Sequence, residues 1–110
     1  MQKTAFLKNT RFGGKVQIGR IFETPVSKEL RICMAEGNGL KEHSAPGPIT
    51  IMVLEGAVTV FTEHDTLELQ KGEMVYFDAN VTHALAASEQ SVIRLTLSHH
   101  DSANRVISLA

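Results

Sequence analysis

The sequence predicts an all-β fold, a sandwich or barrel of short strands, on three observations. Glycine and proline fall at Gly13-Gly14, Pro25, Gly37, Gly39, Pro46-Gly47-Pro48, Gly56 and Gly72, breaking the chain at short, regular intervals. The runs between the breaks are rich in β-branched and aromatic residues. No apolar stripe of helical period extends over more than a few turns.

Taken in order, Val16 and Ile18 alternate with polar neighbours, and Leu30, Ile32 and Met34 alternate with Arg31, Cys33 and Ala35; both runs read as half-buried strands. Residues 49–54 are apolar apart from Thr50, so both faces of that strand are expected to be covered, one by the interior and the other by a second sheet or a partner chain. Residues 57–62 are rich in Val and Thr. Glu63-His64-Asp65 reads as a hairpin tip, after which Leu67 and Leu69 alternate with Glu68 and Gln70. Residues 74–77 and 92–97 complete the set, with Met74 and Tyr76 expected on the barrel-facing side of their strand. His43 is read as following a glycine turn and preceding a strand, and His83 as following the strand that ends near Phe77.

A chain of 110 residues has room for one domain: a barrel core over 16–98, an N-terminal arm over 1–15 and a C-terminal tail over 99–110. Apolar residues at 43% and charged residues at 21% exclude a disordered or fibrous chain. The one cysteine, Cys33, excludes an internal disulfide and a cysteine-based zinc framework; within its strand it reads as a small buried hydrophobe. No apolar run approaches the ~20 residues of a membrane helix, and residues 1–10 hold no signal-like stretch, so a cytoplasmic protein without a membrane partner is expected. Net charge is −1 but unevenly spread, with eight Lys/Arg against three acids in 1–41 and three against nine in 42–110. The basic end carries no stacking aromatics beyond Phe6, Phe12 and Phe22. It reads as basic strands beside acidic ones, with no nucleic-acid partner.

Of five histidines, His43 and His83 are the pair that a barrel would bring into one pocket. Imidazole suits nickel, zinc, copper or iron, although a protein site normally needs about three side-chain ligands. His64 belongs to the hairpin tip, and His99-His100-Asp101 opens the tail as a solvated cluster. The stretch from Gly37 to Gly56, followed by Gly72 to His83, resembles the two signature motifs of the cupins, small β-barrels of jelly-roll type. Anchored on Gly56, the first motif sets His43 on its first histidine, Ala45 on its second and Ile49 on its glutamate. The second motif keeps Gly72 and His83, and has Asp78 for its proline and Asn80 for its glycine, a residue that tolerates positive φ.

The resemblance covers about residues 16–98 and implies a single-domain cupin barrel, dimeric like small members of that family. Metal-dependent cupins hold their ion with two histidines and the glutamate of the first motif and the histidine of the second. Here Ala45 and Ile49 stand where two of those ligands would be, leaving a two-histidine site, His43 and His83, for a divalent transition metal (Ni, Zn, Cu or Fe). The other reading is a pair of pocket histidines that hydrogen-bond a ligand or water, or that only pack. Three functions follow. The first is a small-molecule-binding cupin whose pocket is lined by Ile49, Ile51, Val53 and Met34, with the histidines as polar contacts. The second is a cupin enzyme of dioxygenase or isomerase type, its candidate catalytic residues His43, His83 and Tyr76. The third is an effector-sensing module of a regulatory system.

Overall fold

Nine strands and one short helix form in the computed structural model, which describes residues 1–110. The strands are β1 (Gln17–Glu23), β2 (Ser27–Met34), β3 (Gly39–His43), β4 (Ile49–Glu55), β5 (Ala57–Thr62), β6 (Thr66–Gln70), β7 (Met74–Phe77), β8 (His83–Ala87) and β9 (Ser91–Ser98); the helix is α1 (Ala103–Ile107). They form two antiparallel sheets, one ordered β1-β2-β9-β4-β7 and the other β3-β8-β5-β6.

Period-two alternation builds the interior. In the first sheet, Leu30 pairs with Leu95 and Ile32 with Ile93, while Ile49, Ile51 and Val53 pair with Leu97, Leu95 and Ile93. All of these are buried. The second sheet contributes Leu40, Val58, Val60, Leu69, Leu85 and Ala87 to the same cluster. Apolar area removed from water between the two faces is the main stabilising term. The turns follow the sequence pattern, with Gly56 and Gly72 at φ 87° and Asn80 at φ 66°.

Three expectations change. The outer face of β4 is only half-covered: Thr50, Met52 and Leu54 are partly buried while Ile49, Ile51 and Val53 are fully so. Tyr76 does not face the barrel. Thr50 pairs with Tyr76 and Ile49 with Phe77, so the alternation turns Phe77 inward and leaves Tyr76 57% and Met74 59% exposed on the outer face. β3 and β8 are strands of their own, so His43 ends one strand and His83 begins another.

The N-terminal arm folds back onto the first sheet. Arg31 Nη1 donates to the carbonyls of Phe6 (3.2 Å) and Lys8 (2.7 Å), and Arg94 lies 5.8 Å from the centroid of the Phe6 ring. Cys33 is buried and lines a pocket on this side with Asn9, Arg11 and Arg31. No helix is long and apolar enough to cross a membrane.

Candidate functional site

The pairing of β3 with β8 assembles the site. Leu40 stands opposite Leu85 and His43 opposite His83, so three residues of β3 span what two residues of β8 span. Strict alternation from Leu40 would turn Glu42 inward and His43 outward. The bulge's extra residue reverses that, leaving Glu42 exposed and His43 beside His83 at the barrel mouth.

The two rings meet edge to face, centroids 4.3 Å apart and planes at 63°. Phe77, the inward residue of β7, stacks on His83 at 4.6 Å and 9°. Each imidazole is oriented by a backbone carbonyl two residues before it: His43 Nδ1 lies 2.8 Å from Lys41 O, and His83 Nδ1 lies 2.9 Å from Val81 O. A carbonyl only accepts, so in both neutral rings Nδ1 carries the proton and Nε2 presents a bare lone pair. His83 is 2% exposed, and its Nε2 has no hydrogen-bond partner. Both rings are held below the ordinary histidine pKa of 6.5, chiefly because burial disfavours the charged form. The nearby Arg105 guanidinium acts in the same direction, and in His83 so does His43; the two carbonyl contacts oppose the shift without cancelling it.

Around the pair are Ile32, Leu40, Ile49, Ile51, Leu85, Leu95 and Leu97, closed over by Arg105 and Val106 of α1. Ile49 and Ile51 line the pocket as expected, whereas Val53 and Met34 do not and belong to the core cluster. The enclosed cavity measures about 10 Å³, room for about one water molecule. Arg105 reaches it from the tail. Its Nε and Nη2 donate to the two carboxylate oxygens of Asp101 at 2.8 and 2.7 Å, and its Nη1 donates to Ser44 O at 3.1 Å. Nothing in the local sequence marked Arg105 or Phe77 as neighbours of the histidines; the one available hint was the helical i, i+3 spacing of the apolar Ala103 and Val106 around Arg105. Tyr76 is not part of the site, and its hydroxyl donates to Asp78 Oδ1 at 2.8 Å on the outer face. His64, His99 and His100 are all exposed, but Asp101, expected in a solvated cluster with His99 and His100, is buried because it pairs with Arg105.

The metal that the cupin resemblance implies needs more than two imidazoles. Ala45 and Ile49 are buried and carry no donor atom, and nowhere do three His, Cys, Asp or Glu side chains gather closely enough to share an ion. The charged side chain that lines the pocket with the pair is a cation, Arg105, where a metal centre would want an anion. The donor set does not fit a resident metal ion. What it does offer is two adjacent acceptors in an apolar, positively biased enclosure.

Comparison with known proteins agrees with this architecture. The family described as Cupin domain matches residues 30–99. None of the curated proteins matches the chain. Among solved structures, an RmlC-like cupin from Desulfovibrio desulfuricans superposes with a TM-score of 0.81 at 20% identity, covering 89% of this chain and 96% of that one. A cupin 2 conserved barrel domain protein from Leptotrichia buccalis gives 0.70 at 27% identity over 77% of this chain and 41% of that one. KdgF from a Halomonas species gives 0.68 at 20% identity, with 88% and 87% covered. The matched region holds both histidines, both glycine turns, seven whole strands and most of β2, and on it the chain belongs to the cupin family.

Proposed function

We propose that this cupin binds a small, mainly apolar organic molecule at the barrel mouth, through a hydroxyl or N–H group that donates to Nε2 of His83, with Nε2 of His43 beside it as a second acceptor. One observation carries the reading: the buried Nε2 of His83 has no partner, beside a second imidazole held in the same tautomer. A buried acceptor left unmade costs about 1–3 kcal/mol, and a ligand donor recovers that amount on binding. The aliphatic wall from Ile49 to Leu97 favours an apolar body, and the absence of a carboxylate in that wall disfavours a cationic one.

The test is a thermal-shift screen of small alcohols, phenols and amides, all of which carry a donor, against the wild type and His83→Phe. Phe removes the acceptor and keeps a ring against Phe77. Compounds that stabilise the wild type and lose that effect in the variant support the reading; compounds that stabilise both equally contradict it.

Self-association rests on a different observation. Met74 and Tyr76 are exposed on the outer face of the first sheet, and Tyr76 lines a shallow groove of about 210 Å³ with Val26, Pro48 and Thr50. β7 is an edge strand of that sheet. A second copy laid over this face would bury the apolar groups and cover the edge.

A further inference from the structure

We infer that α1 is a lid: the segment from Ser102 to Ala110 undocks as a unit to open the histidine pocket, with Arg105 as its latch. This rests on the binding reading above, because only a ligand needs the opening.

With α1 in place the cavity has room for about one water, so no molecule with a carbon skeleton fits until a wall moves. Every wall but one is strand. Ile32, Leu40, Ile49, Ile51, Leu85, Leu95 and Leu97 are fixed by ladder hydrogen bonds on β2, β3, β4, β8 and β9. The exception is the side made by Arg105 and Val106.

That side is held differently. The backbone hydrogen bonds of its last turns run Ser108 N to Asn104 O, Leu109 N to Val106 O and Ala110 N to Ile107 O, all within the segment, and none ties it to a strand. Five residues are too few for a helix to persist undocked, and Ser102 supplies no side-chain cap. Docking depends on Ala103 and Val106 against the core, with Ile107 and Leu109 packed at its edge, and on a few side-chain contacts. Of those, Arg20 donates to Asn104 Oδ1 and Arg105 Nη1 donates to Ser44 O at the rim. Asp101, 2% exposed, holds the guanidinium through both carboxylate oxygens and so aims it at Ser44. Its own backbone carbonyl accepts from Lys28 Nζ of β2, which anchors the hinge side of the segment while the rest swings. A patch of contacts this small opens at a lower free energy than the barrel unfolds.

Two measurements on the full-length chain test the lid without any ligand. In a Cys33→Ala background, Val106→Cys and Ile93→Cys report the lid and the sheet interior through their labelling by a disulfide reagent under native conditions. Val106→Cys is expected to label about 100-fold or more faster than Ile93→Cys. Equal rates would mean that Val106 is exposed only when the whole barrel unfolds, and would overturn the lid. The second uses native cysteine and diethyl pyrocarbonate, with modification of His83 followed by mass spectrometry. Arg105→Ala is expected to raise the His83 rate about 10-fold with no comparable change at His64, which is exposed; an unchanged rate would overturn the latch. A screen without ligands alongside fast Val106→Cys labelling would sink the binding reading and leave the lid standing. Ligand binding with equal labelling rates would do the reverse.

Discussion

His43 and His83 face each other across the β3–β8 ladder with ring centroids 4.3 Å apart, each turned by a carbonyl so that its Nε2 lone pair points away from the backbone. Protonating either ring is disfavoured, because a charged imidazole there would meet burial and the Arg105 cation.

The pH dependence follows from that. Both histidines bind protons less readily in the folded chain than the ordinary value of 6.5, so the unfolded chain takes up more protons in this range. Stability is therefore fully present above 6.5 and falls as pH drops from 6.5 through the lowered folded values. Urea unfolding between about pH 5 and pH 8 should show this slope, and His83→Phe should flatten it. A wild-type curve flat over that window would contradict the assignment.

Glu29 sets a second, lower window. Burial raises its carboxyl, but the hydrogen bonds from Arg94 Nε (2.9 Å), Thr96 (2.7 Å) and Ser27 (3.0 Å), with the charge of Arg94, outweigh that and hold it below 4.5. A lowered acid contributes stability above its unfolded value and loses it as pH falls through the folded one. Glu29→Ala strips three donors of their acceptor and should cost about 2–3 kcal/mol at neutral pH, measured by urea unfolding. It should also remove the part of the acid transition below 4.5.

Gly56 tests the turn. At φ 87° it occupies a backbone region that side chains disfavour, and a Cβ there would meet Gln90 O, Ser91 Oγ and, at 2.8 Å, Ser91 Cα. Ser91 is itself pinned to Ala57 N and O. Gly56→Ala should destabilise by about 2 kcal/mol or more, whereas Gly72→Ala, at the same φ with open space around it, should cost only the backbone strain. Equal losses in thermal unfolding would show that contact with Ser91 is not what matters at Gly56.

The outer face of the first sheet predicts oligomeric state. Met74→Glu with Tyr76→Glu places two charges on the exposed edge strand and should convert a dimer to a monomer in light scattering at micromolar concentration. A wild type that is already monomeric would remove this surface from the account.

Most of the fold was legible in the sequence because alternation is a strong signal where one face is apolar. The runs around Leu30 to Met34, Ile49 to Leu54 and Val92 to Leu97 became β2, β4 and β9. The strands that hold the histidines were the ones it hid. β3 reads Gly-Leu-Lys-Glu-His and is interrupted by a bulge, and β8 is mostly alanine, so neither shows the β-branched alternation that marks a strand. The pairing of His43 with His83 still showed through motif spacing, since that spacing fixes where the chain returns to the same rim. Tyr76 was misplaced because a four-residue strand offers too little pattern to tell one face from the other; its partner Thr50 decides the register, and only the fold shows that pairing. Arg105 was invisible for a related reason: it reaches the site from 61 residues beyond Ser44, through a tail with no motif of its own.

The most direct test of the central claim is the ring-nitrogen NMR spectrum of His83 at neutral pH, with and without the compounds that raise the melting temperature. The ring should be neutral and protonated at Nδ1, with an Nε2 resonance that moves when a hydroxyl or N–H donor binds and does not respond to one equivalent of added zinc or nickel. An Nε2 that ignores every such compound and shifts on adding one equivalent of metal would contradict that claim, and would make the two histidines a metal site after all.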